Sequence, residues 1–532
     1  MPAAEIAVSE GVVAHAGMAR KASFGEFAAR AARQAVPSAV PLKDPANFRI
    51  VGNERLTRLD AHAKSSGRQQ FAIDVMLPGM MTAVVMRPPR FGGKVSSFDA
   101  SKAKAVPAVV DVVQIPRGVA VVGRDMWSAR KGREALSVNW DESAAEKRGT
   151  AELMKEYRTI ARSKEAVTVA ERGDAERALG QARKRVEGEF EFPHLAHAPM
   201  EPLTAVCRLS ADKCEIWAGC QFHTIDQANA AAAAGPAQVS INTVAAGGTF
   251  GRRANPESDY IAESASIAKA TGGRYPVRLI WTREDDITGG RYRPLNYHKV
   301  TAAIDSDGKV TYRQRIVGQS ILAGTPLGSM MKNGVDPTAV GGNAAEQYDL
   351  AHAHISWNGP KVGVPVLWWR SVENTHKAFS KEVMIDELAE AAGQDPVAFR
   401  LGLLGSLTVR GDTISVDRVV CAVDCGIAVT PDVVKAQMQG SIGYGLSAAL
   451  YGRITLTDGQ VDQSNFHQYQ VLRINEMPRV IEVFIVPSGN PPSGVGEPGT
   501  PPIAPAVANA VRSATGIRLR SLPFDLAAAR KA

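Results

Sequence analysis

A chain of 532 residues, 45% hydrophobic and 22% charged, has enough apolar material for a large core without any metal or disulfide staple. Its net charge of +8 is small for this length, and no dense Lys/Arg run interleaved with aromatics accompanies it, which argues against nucleic-acid binding. Its five cysteines form no C-x-x-C pair, which argues against a disulfide framework, a zinc site or an iron–sulfur cluster held by this chain.

From the start of the chain, Met1–Ile6 shows no basic-then-apolar export signal. No apolar run reaches membrane-spanning length, so the chain as written is expected in the cytoplasm, without membrane insertion. A short strand and a helix over Phe24–Ala35 precede a proline linker, Val36–Pro41, which gives a first division at residues 1–44. Short apolar runs such as Phe71–Val75, Met81–Met86 and Val109–Ile115 then predict a small β-rich domain over 45–145, with a helix at Met126–Leu136. Residues 146–185 are dense in Lys, Arg and Glu and are expected to form exposed helix and linker.

Beyond Val186 strands and helices mix. Two Asp-Gly pairs, Asp307-Gly308 and Asp458-Gly459, stand between strand-like runs and predict tight hairpins. Helices are expected at Ser258–Ala270, Lys381–Gly393, Pro396–Leu404, Val433–Leu450 and Ala504–Thr515, with Gly272, Gly393 and Gly516 at C-terminal caps. The fold class expected from this order is α+β and multidomain, with larger units at 186–405 and 406–532.

Four segments carry site-like chemistry: Ala196–Pro202 with His197, Ala246–Arg253, Leu367–Val372 and Gly494–Gly499. The last holds a lone carboxylate, Glu497, between glycines in a proline-rich loop. Its spacing also fits G-x-G-x-x-G, but prolines precede it where a strand is needed, and Pro501-Pro502 removes donors from the next turn. A stiff loop that presents one Glu is the better reading. Alone, Gly247-Gly248 reads equally well as a turn, Phe250 as core, and Arg370 as a cation stacked on Trp368 or Trp369.

In this order the four segments resemble the molybdopterin-binding large subunit of the xanthine oxidase/aldehyde oxidase family, and within it the isoquinoline 1-oxidoreductase β-subunit group. Supporting stretches are Trp217–Phe222, Thr282–Asp286 with Gly289–Arg291, and Val423–Gly426. The resemblance, which runs from about residue 45 to the end, implies a hammerhead-like domain followed by two cofactor-binding domains. It implies molybdopterin cytosine dinucleotide or a related molybdenum cofactor, contacted by Gly247, Gly248, Thr249, Phe250, Gly251, Arg252, Arg370, Gln437 and Gly496. Thr249 stands where relatives often have a third glycine, Arg252-Arg253 are expected to reach a phosphate or face solvent, and His197 is structural, since no protein side chain ligates the metal. Glu497 is implied to be the general base of an oxidative hydroxylation with water as oxygen source, and burial is expected to raise its basicity. Electrons would pass to a separate small subunit with [2Fe–2S] clusters, with a cytochrome acceptor as an option beyond it. Substrates implied are N-heteroaromatics or aldehydes.

The pattern departs from the family twice. No G-Q-G occurs, a loop that members carry upstream, often behind an export signal that takes them to the periplasm. After Pro396–Leu404 the chain runs directly into Leu407–Val416, where relatives hold further residues ending in a strand. The expectation is a chain shortened at its start and internally, with unpaired backbone where that strand is missing unless the sheet rearranges. A second reading follows, a non-catalytic paralogue that keeps the fold without stable cofactor.

Overall fold

The computed structural model describes all residues except 1, 37, 41, 164, 236–237, 342–347, 349, 397–402, 411–412 and 532. Two compact units make up the chain, one ending at Asn53 and the other beginning at Glu54. In the first, β1 (Ile6–Ser9), β2 (Val12–His15) and β3 (Lys21–Ser23) form an antiparallel meander. Helix α1 (Phe24–Ala31) follows directly, started by a capping box in which Ser23 and Glu26 satisfy each other's backbone N–H groups. It ends four residues before the expected Ala35.

The strands of the second unit begin with β4 (Met81–Met86), β5 (Lys94–Asp99), β6 (Val109–Ile115) and β7 (Gly118–Gly123). There follow α2 (Met126–Glu134), β8 (Ser137–Asp141), α3 (Thr150–Arg162), β9 (Val167–Arg172) and α4 (Ala175–Gln181). Next come β10 (Lys184–Phe192), β11 (Thr204–Leu209), β12 (Lys213–Ala218), α5 (His223–Ala234), β13 (Gln238–Thr243), α6 (Asp259–Ala270) and β14 (Val277–Ile280). A seven-stranded mixed sheet takes the order β13-β12-β11-β14-β4-β7-β6. Its strand β7 is buried at every residue, which suits an apolar run covered on both faces. The core on this sheet joins Val85, Val122, Ile216 and Leu279 to Tyr260, Ile261 and Ile267 of α6.

β15 (Asn296–Ile304), β16 (Val310–Gly318) and β17 (His352–Asn358) complete a five-stranded sheet of order β10-β15-β16-β17-β9. Helix α7 (Asn374–Ala392) packs on β10 and β15 through Phe379, Val383 and Leu388. The third sheet comprises β18 (Leu403–Arg410), β19 (Thr413–Val423) and, after α8 (Pro431–Leu450), β20 (Leu456–Thr457) and β21 (Gln460–Val461), the strand β22 (Val480–Ile485). Helix α9 (Ile503–Thr515) packs against α7 and α8.

Both hairpins form as expected. Asp305 Oδ1 accepts from the N–H groups of Asp307 (2.8 Å) and Lys309 (2.9 Å), and Gly308 takes φ 78°. Asp458 and Gly459 take φ 47° and 72° between β20 and β21, the left-handed pair that a two-residue hairpin turn needs. Four expectations are corrected. Phe71–Val75 is not a strand: Asp74 caps the N–H of Phe71 at 2.9 Å and folds Ala72–Asp74 into a 3₁₀ turn. Helix α7 starts at Asn374, seven residues before Lys381. The charged stretch contains β9, which pairs with β17. Most of the helix expected at Pro396–Leu404 lies outside the described residues, but Leu403 and Leu404 belong to β18. That strand pairs antiparallel with β19, from Leu403 opposite Cys421 to Arg410 opposite Thr413, so the backbone expected to lack a partner has one. Among the described residues no helix is long and apolar enough to cross a membrane.

Candidate functional site

Trp369 to Glu373 form a turn that holds the proline-rich loop. The Arg370 Nε donates to the Gly496 carbonyl at 2.7 Å, and the same guanidinium donates to Gln437 Oε1 on α8 at 2.9 Å. Ser371 Oγ donates to the Glu497 carbonyl at 2.8 Å, and Thr500 N donates to that carbonyl at 3.0 Å. Thus Arg370, Gln437, Gly496 and Glu497, far apart in sequence, are brought together. The turn is strained: Ser371 and Val372 take φ 72° and 47°. For a β-branched residue that region is a genuine outlier, at a cost on the order of 1–3 kcal/mol that the surrounding contacts must offset. Burial pushes the Arg370 pKa down, against the pull of Tyr444 and Glu497. Glu497 itself is exposed, contrary to the burial expected of it, and its side chain has no hydrogen-bond or ion-pair partner among the described residues. A Cβ added at Gly494 or Gly496 would meet no protein atom within 4 Å.

The segment Gly247–Arg253 behaves differently. A Cβ at Gly247 would lie 2.5 Å from Glu201 Cβ, and one at Gly251, which has φ 104°, only 2.4 Å from the Trp368 carbonyl oxygen. At Gly248, with φ 106°, it would lie 3.1 Å from Pro199. These glycines let the segment approach the chain's own Pro199–Glu201 and Trp368. Glu201 further accepts from Gly247 N at 2.8 Å. The Thr249 carbonyl accepts from Arg252 N at 2.8 Å.

Both arginines point into protein. Arg252 is bidentate to Asp259 at 2.7 and 3.2 Å, with both side chains at most 2% exposed, and lies 5.3 Å from the Trp281 ring centre. Burial alone would raise the Asp259 pKa, yet the Arg252 guanidinium holds it well below the usual carboxylate range. Arg253 is fully buried, donating to the Gly248 carbonyl and to the Glu201 side chain, each at 3.1 Å. Neither faces solvent; Arg252 has its charge satisfied within the protein and serves the frame of the segment, while Arg253 Nη1 is buried without a hydrogen-bond partner.

Phe250, at φ 51°, stacks on Tyr444 with ring centres 4.2 Å apart, and Tyr444 stacks on Trp369 at 4.4 Å, each pair within 16° of parallel. This three-ring stack walls a cavity of about 430 Å³ that Arg370, Met200, Phe466 and Met477 also border. Among the described residues no Asp or Glu borders it, and Arg370 is its charged side chain. His197 lies in the same wall, but burial pushes its pKa down to about 3 and its Nε2 lies 2.8 Å from the Trp368 carbonyl, so it is a neutral structural group. The residue at the cavity that sequence reasoning missed is Tyr444. The spacing of Gln437, Gly440 and Tyr444 on one face of α8 is the signal that could have found Tyr444.

Among the described residues no three His, Cys, Asp or Glu side chains are placed to hold a metal ion. The five cysteines are free thiols, four of them buried.

Comparison with known proteins places these features. The family description "molybdopterin cofactor-binding domain" matches residues 160–402, and a second of the same description matches residues 408–478. The isoquinoline 1-oxidoreductase subunit beta of Brevundimonas diminuta is 30% identical, covering 100% of this chain and 79% of its own. That alignment spans 627 residues against 532 here, so parts of the relative have no counterpart in this chain. The membrane-bound aldehyde dehydrogenase [pyrroloquinoline-quinone] of Gluconacetobacter polyoxogenes is 27% identical over 97% of this chain and 77% of its own. Among solved structures, quinoline 2-oxidoreductase from Pseudomonas putida 86 superimposes with a TM-score of 0.72 at 13% identity, covering 89% of this chain and 97% of that one.

Proposed function

We propose, for a chain that belongs to the molybdopterin-binding large subunits of the xanthine oxidase family, that Glu497 is the general base of an oxidative hydroxylation, carried by a loop that Arg370 ties to the border of the 430 Å³ cavity. The chain is a molybdopterin-dependent oxidoreductase of the catalytic-subunit type. The observation that carries the reading is the Arg370 guanidinium, which ties the Gly496 carbonyl to Gln437 while bordering the cavity.

The residues fit a molybdopterin. Arg370 and Gln437 offer a cation and an amide to a polyanionic, hydrogen-bonding ligand. Gly440, Gly494 and Gly496 leave open space where a Cβ would otherwise intrude. When bound, the group supplies a two-electron acceptor and activates oxygen derived from water. The finer assignment in this proposal is molybdopterin cytosine dinucleotide or a related molybdenum cofactor.

This chain's own residues do the rest. Glu497 offers an uncommitted carboxylate whose backbone is fixed by Ser371 and Thr500, so its proton-accepting oxygens are held without being consumed. The stack of Phe250, Tyr444 and Trp369 gives the cavity an aromatic lining in which both faces of Tyr444 are taken by its neighbours, so an aromatic substrate would pack against ring edges or an end ring. Arg370 is the charged side chain of the lining and the proposed base Glu497 stands outside it, so neutral molecules are favoured over cations. N-heteroaromatics and aldehydes meet these conditions, and both substrate classes stand in the names of the relatives. Electrons pass to a separate iron–sulfur subunit, with a cytochrome as an option beyond it.

Glu497→Gln keeps shape and removes the base. Turnover is expected to fall roughly 10²–10⁴-fold, while molybdenum per chain stays at the wild-type value by elemental analysis. Near-wild-type turnover would remove Glu497 from this role.

A further inference from the structure

Four arginines are buried among the described residues, and three of them meet a carboxylate. Arg252 meets Asp259 at 2.7 Å, Arg253 meets Glu201 at 3.1 Å, and Arg291 meets Glu257. Arg293, 2% exposed, is the exception: no Asp or Glu oxygen among the described residues lies within 4.0 Å of its guanidinium. The guanidinium donates to the Pro193 carbonyl at 2.8 Å and to Thr375 Oγ1 at 3.5 Å, both neutral acceptors, and its Nε is buried without a hydrogen-bond partner among the described residues. Burial pushes its pKa down to about 9, which leaves it cationic at neutral pH. Neutral acceptors lower the cost of burying a cation but do not supply the opposite charge.

Arg293 borders a small cavity of about 10 Å³, room for roughly one water-sized species. A second donor reaches its wall through a chain of buried groups. The Gln314 amide nitrogen lies 3.1 Å from His298 Nδ1, which makes that ring nitrogen an acceptor, so His298 Nε2 carries the proton. It donates to His376 Nδ1 at 3.0 Å, and His376, itself in the cavity wall, therefore has its N–H at Nε2. Burial keeps both imidazoles neutral. Two other polar side chains of the wall are engaged elsewhere, Gln319 with the Val364 carbonyl at 3.0 Å and Thr338 with Asp336 Oδ1 at 2.6 Å. Glu373 is the acidic member of the wall among the described residues. Burial pushes its pKa up to about 7 against the pull of Lys377, so below neutrality it is largely protonated and offers an O–H donor in place of a counter-charge.

We propose that this cavity is a binding site for a single monatomic anion of the halide class, held by Arg293 and His376. Size selects the class: phosphate and sulfate exceed a space for one water, and a neutral water fills the space without supplying charge. Val372 and Glu373 bring the start of α7 to the same wall, and the positive end of that helix dipole adds to the attraction. Trp369 and Val372 also belong to the strained turn whose Arg370 and Ser371 hold the Gly494–Gly499 loop. An anion bound there braces that turn from its protein side. The site is independent of the role given to Glu497, and its test needs neither cofactor nor turnover.

Crystals of the full chain soaked in sodium bromide at mildly acidic pH, with anomalous data collected at the bromine edge, test the site directly. An anomalous peak against the Arg293 guanidinium is expected. A water in that place, or bromide confined to the protein surface, overturns the proposal. In solution, chloride is raised at constant ionic strength with gluconate as the bulky replacement anion. The wild-type Tm is expected to climb by about 1–3 °C for each tenfold increase in chloride above its dissociation constant. Arg293→Met replaces the buried cation with an apolar chain and is expected to abolish that climb. No climb in the wild type, or an equal climb in Arg293→Met, overturns the proposal. The crystallographic arm uses the wild type alone, so it decides the matter even where Arg293→Met does not fold.

Discussion

The Gly247–Arg253 segment and the Gly494–Gly499 loop both set glycines around charged side chains, and the fold uses them in opposite ways. In the first, the glycines let the segment press against Glu201, Pro199 and Trp368, Arg252 is consumed by Asp259, and Arg253 is held by Glu201 and backbone carbonyls with its Nη1 left unpartnered. In the second, the backbone carbonyls are the anchored groups, through Arg370 and Ser371, while the Glu497 carboxylate and the space at Gly496 stay uncommitted. The physics separates them. A charge taken out of water must be paired at once or cost several kcal/mol, so a buried arginine is part of the frame. A carboxylate whose backbone is clamped but whose oxygens are free is available for chemistry.

Breaking the frame is the severest test of that contrast. Asp259→Asn leaves Arg252 buried with an uncompensated charge and is expected to cost about 3–5 kcal/mol, read by thermal or denaturant unfolding. A loss below about 1 kcal/mol, the range of an exposed pair, would mean that Arg252 is free to serve a ligand after all. A matched pair of glycine substitutions sharpens the comparison at smaller scale. Gly251→Ala forces a Cβ into the Trp368 carbonyl at a left-handed backbone position, for a loss of roughly 2–4 kcal/mol. Gly496→Ala meets no protein atom, so stability should stay within about 0.5 kcal/mol while molybdenum content falls. The reverse outcome, Gly496→Ala unfolding the protein and Gly251→Ala leaving it intact, would exchange the roles of the two segments.

What was legible in the sequence was local. Asp307-Gly308 and Asp458-Gly459 announce their turns because few other residue pairs tolerate left-handed backbone, and the helices ending at Gly393 and Gly516 announce their caps for the same reason. Arg370, Gln437, Gly496 and Glu497 were legible through family resemblance, and their convergence required the fold. What was hidden depends on partners distant in sequence. Nothing in Arg252 says that Asp259 will pair with it in the interior. Strand β9 lies in a charge-rich stretch whose alternation is too weak to signal pairing with β17. The burial expected of Glu497 failed because prolines and glycines stiffen that loop without covering it. The aromatic wall gathers Phe250, Trp369 and Tyr444 from three separate segments, a contact that no periodicity encodes.

The central claim is that this chain, with the segments it has, forms a working molybdopterin site. Elemental analysis of molybdenum in the folded protein, purified after co-expression with an iron–sulfur subunit, tests it most directly. The account predicts a stoichiometric amount of metal per chain. A folded protein without molybdenum would contradict it, and the reading as a non-catalytic paralogue would take its place.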